Sequence, residues 1–339
     1  MYIDCLNAAD IISRDIYYCT QSIAPPDHTT IASTSTLCKA FAFLEEIENV
    51  TESKAAVLLH QADWIGYQLH SKMGVTDWNN ALKLGFDPEA EEYPEWLMNK
   101  ACKLTKMLPM SVHQPGSVVS TISPAAATKF GISKRCNICA GTTDSIAAFL
   151  ASGAHKPGQA VTSLGSTLAI KLLSSTRLDA ATHGIYSHRL GSSWLVGGAS
   201  NTGGAVLRSF FSDTELERLT SLMDPTHPTG LDYVALLSPG ERLPYDPKLQ
   251  PRLDPRPEED EVFLQGMLEA MARTEAAAYD AMRKMGATPV NEILTCGGGA
   301  RNTVWTTLRQ NAIGVPVQMA THGEASFGAA LLALQSSLL

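Results

Sequence analysis

The stretch from Cys139 to Lys171, CAGTTDSIAAFLASGAHKPGQAVTSLGSTLAIK, constrains the fold of this chain more than any other. An apolar strand leads to Gly141–Asp144 at the start of a helix, and a second strand, a Gly-Ser-Thr turn and a return strand follow. Small hydroxyl and glycine residues at strand ends let a ligand approach the backbone closely, and a helix N-terminus there favours negative charge. The stretch therefore predicts an α/β fold in which one half presents a base and the other holds a phosphate.

The composition predicts a globular protein of two lobes. The 339 residues are 45% hydrophobic, which is enough to bury a sizeable core. A formal net charge of -8 opposes an extended electrostatic hold on nucleic acid or anionic lipid. No apolar run approaches the roughly 20 residues that a membrane-spanning helix needs. We therefore expect a soluble protein without a nucleic-acid or membrane partner.

The cysteines are odd in number and sparse, which favours a reducing compartment. Cys136 and Cys139 form one C-x-x-C, a spacing found in redox pairs and in one half of a zinc site. Because no second pair has matching spacing and Ile138 lies between them in a predicted strand, buried thiols are favoured. The histidines are dispersed without ligand spacing on a helix, so no structural metal is expected.

Apolar spacing predicts a largely helical first half and a sheet that opens the second lobe. Helices are predicted over 35–46, 55–72, 94–104, 124–130 and 145–152, and the VTDWNNALKLGFDPE run after Gly74 is interpreted as a polar loop. Beyond a Pro- and Ser-rich passage, strands are predicted over 137–140, 160–163, 168–173, 186–189, 194–197, 292–295 and 315–319. A loop without periodicity, 224–256, precedes a long helix, 259–285, whose Met and Ala face is expected to lie in the core.

Asp144 is the first candidate for chemistry. A phosphoryl-transfer site needs backbone donors around the phosphates, a metal-bridged nucleotide, and a carboxylate that takes the proton of the acceptor hydroxyl. In GTTDS, a carboxylate at a strand-to-helix junction is held rigidly beside an anion-binding helix end. The alternative is that Asp144 only caps the helix that begins at Ser145, as Asp commonly does. The spacing alone leaves both interpretations open.

Two glycine-containing turns are the other candidates. Gly165-Ser166-Thr167 is typical of a hairpin that cradles phosphate with N–H groups and hydroxyls, but an ordinary hairpin turn is favoured when it is taken alone. The CGGGARN run follows an apolar strand and opens a helix, so its backbone can lie against a nucleotide, and the alternative is a tight strand-to-helix turn. The run is not G-x-G-x-x-G, which argues against a dinucleotide site.

Five stretches in this order and spacing resemble the FGGY family of carbohydrate kinases. They are GTTDSIAAFLA, TSLGSTLAIK, GGASNTGGA, LTCGGGARNTVW and GEASFGAALLA. The resemblance extends from about Ser22 to the end of the chain and is strongest to the plant and cyanobacterial D-ribulose kinases, long labelled xylulose-kinase-like.

The resemblance implies an actin-like, hexokinase-type (ribonuclease H-like) α/β fold of two lobes. It implies a sugar-binding lobe over 1–157 and a nucleotide-binding lobe over 158–339. It also implies ATP-dependent phosphorylation of a free ketose, most closely D-ribulose, with Mg²⁺ bridging the phosphates and Asp144 as the catalytic base. The implied nucleotide contacts are the phosphate loop Gly165, Ser166 and Thr167, the pair Gly203 and Gly204, and the adenosine motif Gly297, Gly298, Gly299 and Asn302.

One family feature is missing from the printed sequence. FGGY kinases begin with a D-x-G-T motif that contacts phosphate and metal, and residues 1 to about 20 do not resemble the family. We therefore expect an incomplete N-terminal lobe. The alternative function is a truncated, catalytically inactive nucleotide-binding homologue that acts through a partner, either a second copy or an intact homologue. The resemblance implies the cytoplasm or the plastid stroma.

Overall fold

The computed structural model describes residues 23–25, 28–31, 35–48, 56–100 and 102–335. The chain divides into two compact units. Unit 1 comprises Met1–Ala147, His188–Gly191 and Ala325–Leu339, and unit 2 comprises Ala148–Ser187 and Ser192–Glu324. What the sequence predicts for residues 1–22 lies outside the described residues, and the lobe boundary at 157/158 stays a prediction. Within the described ranges, no helix is both long and apolar enough to cross a bilayer.

Unit 1 is built from short helices and short strands. Its helices are α1 (Thr36–Glu48), α2 (Gln61–His70), α3 (Trp78–Ala81), α4 (Glu95–Lys100), α5 (Cys102–Thr105), α6 (Pro124–Phe130) and the first half of α7 (Asp144–Ala151). Its strands are β1 (Val75–Asp77), β2 (Ser111–His113), β3 (Val118–Thr121) and β4 (Asn137–Cys139). Strand β1 pairs with β2 in parallel, and β3 pairs with β4 antiparallel. Buried apolar side chains from α1, α3, α4 and α5 form the core.

Helix α2 is shorter than the predicted 55–72. His60 and Asp63 form a capping box, in which the Asp63 carboxylate accepts the His60 backbone N–H at 2.9 Å. This arrangement fixes the start of the helix at Gln61, since it satisfies backbone donors that would otherwise have no partner. At the other end, Ser71 adopts a left-handed conformation (φ 60°) and its N–H bonds the Tyr67 carbonyl, which ends the helix.

The run after Gly74 is not the polar loop that the sequence predicted. It forms strand β1, helix α3 and a 3₁₀ turn, Leu82–Leu84, and most of its side chains are buried. The Asp77 carboxylate accepts the backbone N–H groups of Asn79 and Asn80 and the Asn80 side-chain amide. These polar side chains can be buried because they are hydrogen-bonded to each other and to the start of α3.

The ionisation of Asp77 makes the free energy of unfolding depend on pH. Burial raises the pKa of this carboxyl to about 6, against the hydrogen bonds from Asn80, which act in the opposite direction. A raised pKa means that the folded state prefers the protonated form, so the contribution to the free energy of unfolding falls as pH rises from about 4 to about 6. We expect Asp77→Asn to remove about 2 kcal/mol of that fall, because an asparagine caps the helix without carrying charge.

The measurement is urea denaturation at pH 4.5 and pH 7 for the wild type and Asp77→Asn. Glu95→Gln removes an exposed carboxylate of the same unit and serves as the control, which should keep the wild-type dependence. Parallel changes in unfolding free energy for the wild type and Asp77→Asn would contradict the prediction.

Unit 2 is organised around a six-stranded mixed sheet. The strands are β5 (Gln159–Leu164), β6 (Leu168–Ser174), β7 (Tyr186–Leu190), β8 (Ser193–Ala199), β11 (Glu292–Cys296) and β12 (Val317–Met319), in the order β12-β11-β5-β6-β8-β7. Residues 188–190 of β7 are grouped with unit 1. Strands β12, β11 and β5 run parallel, whereas β6 is antiparallel to both β5 and β8. The predicted strands and the antiparallel hairpin are confirmed, with small differences in length.

Helices and a long loop complete unit 2. The helices are α8 (Gly204–Arg208), α9 (Asp213–Thr220), α10 (Asp260–Lys284) and α11 (Thr303–Ile313), and the loop contains the short pair β9 (Glu241–Arg242) and β10 (Tyr245–Asp246). The last helix of the chain, α12 (Ala325–Gln335), belongs to unit 1. The predicted core face of α10 is confirmed, because Phe263, Met267, Met271 and Met282 are buried against the sheet residues.

Candidate active site

Unit 2 contains a cavity of about 480 Å³ at one edge of its sheet. Its walls combine apolar side chains, glycine backbone and a few charged groups. They are formed by Leu164, Gly165, Gly204, Leu207, Arg208, Asp213, Leu216, Glu217, Thr220, Leu264, Leu268, Gly298, Gly299, Arg301, Asn302, Thr303 and Trp305. The cavity can take a flat apolar group against its leucines and an anionic group near its exposed backbone.

The sheet register brings the predicted turns together. Strands β5 and β11 pair in parallel from Glu292↔Gln159 to Cys296↔Ser163, so both end at the same edge. Each turn begins at the residue that directly follows its strand: the hairpin turn at Gly165 after β5, and the glycine run at Gly297 after β11. Carboxyl ends of neighbouring parallel strands are the usual place for ligand sites in α/β sheets.

Gly203 and Gly204 pack directly on the hairpin turn. The Gly204 N–H donates to the Gly165 carbonyl at 2.9 Å, and the Ala205 N–H donates to the Ser166 carbonyl at 3.0 Å. Gly203 has φ +146°, and a Cβ there would lie 2.8 Å from the Ser166 carbonyl oxygen. Glycine is therefore required by the contact between the two turns. The side chains of Ser166 and Thr167 are exposed, whereas Gly165 and Gly204 line the cavity.

The three glycines after β11 differ in what requires them. A Cβ on Gly297 (φ +85°) would lie 2.7 Å from the Leu164 carbonyl oxygen, and a Cβ on Gly299 would lie 2.7 Å from the Trp305 ring. Both glycines are needed for packing within the chain. Gly298 lines the cavity, and a Cβ there would meet nothing within 4 Å. Its backbone is thus open to a ligand.

Asn302 connects the glycine run to two helices. Its Oδ1 accepts the Trp305 N–H at 2.8 Å and so caps α11, and its Nδ2 donates to the Thr220 hydroxyl of α9 at 3.2 Å. The tight strand-to-helix turn is therefore present, and the same turn exposes backbone to the cavity. The nucleotide contact of the CGGGARN run stays a prediction.

Asp144 lies in unit 1 as the first residue of α7 and is exposed. The Ala147 N–H donates to the Thr143 carbonyl at 3.0 Å, so Thr143 occupies the capping position. The helix therefore begins one residue earlier than the alternative assumed, and a structural role of Asp144 at the helix start stays open beside the catalytic one. The Asp144 carboxylate accepts the Ser145 N–H at 2.7 Å, which fixes its direction at the helix start.

A buried amide holds the loop before Asp144. Asn79 is fully buried, and its Nδ2 donates to the Thr142 hydroxyl at 2.9 Å. Asn79 is placed by the Asp77 cap of α3, so the GTTD loop rests on the run that the sequence analysis interpreted as a polar loop. The sequence signal that could have found this residue is the Asp-x-Asn-Asn spacing, which is typical of a capped helix start.

Comparison with known proteins decides the family. The C-terminal domain of the FGGY family of carbohydrate kinases matches residues 160–337, more than half of the chain. The chain belongs to the FGGY family. This match covers the hairpin turn, the Gly203-Gly204 pair and the glycine run, which all contribute to the cavity of unit 2.

Solved FGGY-type kinases share the fold. A gluconate kinase from Lactobacillus acidophilus has a TM-score of 0.79 at 20% identity, over 98% of this chain and 69% of that chain. A xylulose kinase from Rhodospirillum rubrum has a TM-score of 0.80 at 20% identity, over 96% of this chain and 69% of that chain. Plasmodium falciparum glycerol kinase with ADP has a TM-score of 0.72 at 15% identity, over 96% and 69%. The predicted α/β, actin-like fold is confirmed.

None of the four charged residues that line the FGGY cavity was predicted from the sequence, and two of them, Arg208 and Asp213, bond each other. Arg208 ends α8, and its Nε donates to the Asp213 carboxylate at 3.1 Å. A Cβ added to Gly204 would lie 3.3 Å from its Nη1, so the guanidinium lies beside the backbone that contacts the hairpin turn. Both residues are exposed, so no periodic pattern distinguishes them in the sequence. They are of interest because they lie next to the turn at Gly204.

Glu241 was missed because it lies in the loop that shows no periodicity. It is 3% exposed, and its carboxylate accepts the Ser200 hydroxyl and the Asn201 N–H, each at 2.7 Å. It also accepts the N–H groups of Arg242 and Leu243. This buried carboxylate fixes the chain just before Gly203, so the Gly203-Gly204 pair is held from behind.

The C-x-x-C pair does not behave as predicted. Cys136 and Cys139 form no disulfide and are half-buried, whereas the sequence favoured buried thiols. Strand β4 is at the surface of a two-stranded sheet, which leaves side chains on both faces partly open. In the described parts of the chain, no group of three or more His, Cys, Asp or Glu side chains is arranged to hold a metal ion.

Proposed function

We propose that this FGGY chain transfers the γ-phosphoryl group of ATP to a hydroxyl of a free ketose, with D-ribulose preferred. The proposal rests on one observation: the hairpin turn, the Gly203-Gly204 pair and the glycine run meet at one cavity, where the Gly298 backbone is open. Residues 158–339 then form the nucleotide-binding lobe and 1–157 the sugar-binding lobe. The resemblance to D-ribulose kinases supports the choice of sugar and a cytoplasmic or plastid location.

A nucleotide fits the residues that line the cavity. The apolar walls from Leu207, Leu216 and Leu264 suit a flat base, and the backbone of Gly298 lets it approach closely. The polyphosphate then extends toward Gly165 and Gly204. Arg208 bonds Asp213 through Nε there, and its Nη1 lies beside the Gly204 backbone, where it can donate to a phosphate. The glycerol kinase from P. falciparum was solved with ADP, the nucleotide product that we expect from this chain.

We propose Asp144 as the general base. Its carboxylate is exposed at the N-terminus of α7, and the Ser145 N–H orients it. In the proposed step, the sugar hydroxyl oxygen forms the bond to the γ-phosphorus, and the bond to the β,γ-bridging oxygen breaks. The hydroxyl proton passes to Asp144, and ADP leaves with the bridging oxygen.

Magnesium enters the proposal with the nucleotide. Mg²⁺ usually binds nucleotide phosphates and water, with few protein ligands. When bound, Mg²⁺ neutralises the charge that develops on the phosphates.

The function is tested by calorimetry and by an assay of ATP consumption. Titrations with ADP, AMP and NAD should show binding of ADP, weaker binding of AMP, and no dinucleotide binding. Mg-ATP should be consumed with D-ribulose and more slowly with D-xylulose, L-ribulose and glycerol. Absence of ADP binding by the folded chain would overturn the proposal.

A non-catalytic nucleotide-binding homologue is the second candidate. Such a protein would use the same cavity of unit 2 for the nucleotide but would need no sugar-dependent chemistry. The same experiments separate the two candidates: ADP binding without sugar-dependent ATP consumption, restored only by an added intact homologue, would favour the second candidate. A second copy of the chain is the other partner to test, by repeating the assay across protein concentrations.

Arg208→Gln tests the direction of the nucleotide. We expect roughly tenfold weaker ADP binding, because a charge-assisted contact to phosphate is lost, and unchanged adenosine binding. Arg301→Gln is the matched control, since Arg301 also lines the cavity but belongs to the glycine-run side. Calorimetry with ADP and adenosine makes the measurement. Equal loss for both ligands would place the base, and not the phosphates, beside Arg208.

A further inference from the structure

A fully buried ion pair lies behind the turns that form the cavity. Arg309 of α11 and Glu275 of α10 are both 0% exposed. Arg309 Nε donates to Glu275 Oε2 at 2.5 Å, and Arg309 Nη2 donates to Glu275 Oε1 at 2.8 Å. The pair is thus bidentate, a geometry that fixes both direction and distance.

The pair is bonded to two neighbouring strands. Arg309 Nη1 donates to the Thr295 hydroxyl of β11 at 2.7 Å, and the Thr162 hydroxyl of β5 donates to Glu275 Oε1 at 2.6 Å. Thr162 and Thr295 are direct partners in the parallel ladder. Thr162 also bonds the hydroxyl of the buried Tyr279 at 2.9 Å. Strands β5 and β11 and helices α10 and α11 therefore share one polar network.

Both threonines lie just before the turns of the cavity. Thr162 lies on β5, three residues before Gly165, and Thr295 lies on β11, two residues before Gly297. The spacing between the turns is tight, because a Cβ on Gly297 would lie 2.7 Å from the Leu164 carbonyl oxygen. A small shift of one strand along the other would change the relative position of the two turns.

Stability alone does not explain a buried pair of this kind. Well-packed apolar residues of similar volume are often as stabilising as a buried ion pair, because burying charge carries a large desolvation cost. Apolar side chains lack direction, whereas the fork of Arg309 and the two threonine hydroxyls accept only one arrangement. The network therefore specifies position more than it adds stability.

We propose that Glu275 and Arg309 are positioning residues of the nucleotide site, and that they act through Thr162 and Thr295 to hold the hairpin turn and the glycine run at the spacing that ADP requires. The inference rests on the proposed function. It differs from it in assigning a role to residues that do not line the cavity.

The first test separates stability from affinity. In the double variant Thr162→Val/Thr295→Val, side-chain shape is kept and both hydroxyl links between the ion pair and the strands are removed. In Thr162→Ser/Thr295→Ser, the hydroxyls are kept. We expect roughly tenfold weaker ADP binding in the valine variant and near wild-type binding in the serine variant. Thr274→Val is the control, because that hydroxyl bonds only within α10, to the Ala270 carbonyl.

A second variant replaces the whole network by apolar residues. It combines Glu275→Leu, Arg309→Met and Tyr279→Phe with the two valines. We expect an unchanged or higher Tm together with weakened ADP binding, a combination that a purely structural role does not produce. A folded variant, of either kind, that binds ADP within roughly twofold of the wild type would overturn the proposal.

Hydrogen exchange distinguishes failure of this inference from failure of the proposed function. If the wild type does not bind ADP, the nucleotide assignment fails, and the positioning role is then judged from the amides of Gly165 and Gly204. Faster exchange at these amides in the valine variant, but not in the serine variant, would support the positioning role. Unchanged exchange would reject it.

Discussion

Asp144→Asn is expected to reduce the rate of sugar-dependent ATP consumption by about 10² to 10⁴ and to leave ADP affinity unchanged. Asparagine is close to aspartate in shape and its Oδ1 can still accept the Ser145 N–H, so the start of α7 should keep its structure. Its amide cannot take a proton from an attacking hydroxyl, however. The loss therefore falls on the chemical step and not on binding of the nucleotide.

The measurement combines a coupled assay at saturating Mg-ATP and D-ribulose with calorimetry of ADP. Ser145→Ala is the matched control, because it removes an exposed side chain next to Asp144 but keeps the carboxylate and the backbone N–H that orients it. Retention of most of the wild-type rate in Asp144→Asn would exclude Asp144 as the base. Loss of ADP binding together with the rate would show instead that the substitution disturbs the fold.

Much of the secondary structure of unit 2 was predictable from local patterns. Strand β6 alternates buried residues such as Leu168 and Ile170 with half-buried Ala169 and Lys171, which is the period that predicts a strand. Helix α10 carries a long apolar face and ends within one residue of its predicted limit. These features depend on residues a few positions apart, so the sequence contains the information directly.

The errors arise where polar residues find partners that sequence patterns do not reveal. Asp77 and Asn79 indicated a solvated loop, yet Asp77 caps α3 and Asn79 bonds Thr142, 63 positions later. Glu241 lies in a loop without periodicity, yet it bonds Ser200, 41 positions earlier. A buried polar side chain resembles an exposed one until its partner is known, and the partner is set by the tertiary fold.

The site was predictable as separate motifs but not as an arrangement. The resemblance named Gly165, Gly204 and Gly298 as parts of separate motifs. Only the parallel register of β5 and β11 and the hydrogen bond from Gly204 to Gly165 bring them to one cavity. Pairing between strands that are more than a hundred residues apart has no local signal. Arg309 was missed for the same reason, since a charged residue in an amphipathic helix is usually assigned to the exposed face.

The second large effect concerns the glycine run, where neighbouring alanine substitutions should have opposite consequences. Gly297→Ala is expected to lower the free energy of unfolding by about 2–4 kcal/mol, because the residue has a left-handed backbone and its Cβ would meet the Leu164 backbone. Gly298→Ala is expected to change that free energy by less than about 0.5 kcal/mol, because a Cβ there lies in open space and φ is not positive.

The affinity for ADP should depend on Gly298, the glycine whose substitution has little effect on stability. Since Gly298 lines the cavity and its backbone is open, a methyl group at this position would separate a nucleotide from the chain, and we expect ADP to bind roughly tenfold more weakly to Gly298→Ala. Urea denaturation and calorimetry on both variants make the comparison, and Gly314→Ala provides a control for a left-handed glycine with open space around it, at the end of α11. If Gly298→Ala folds and binds ADP like the wild type, the base does not lie on this backbone. The conformation of Gly297 and the packing of Gly299 would then be sufficient reason for the run, and the nucleotide would have to be placed at the Gly165 and Gly204 side of the cavity.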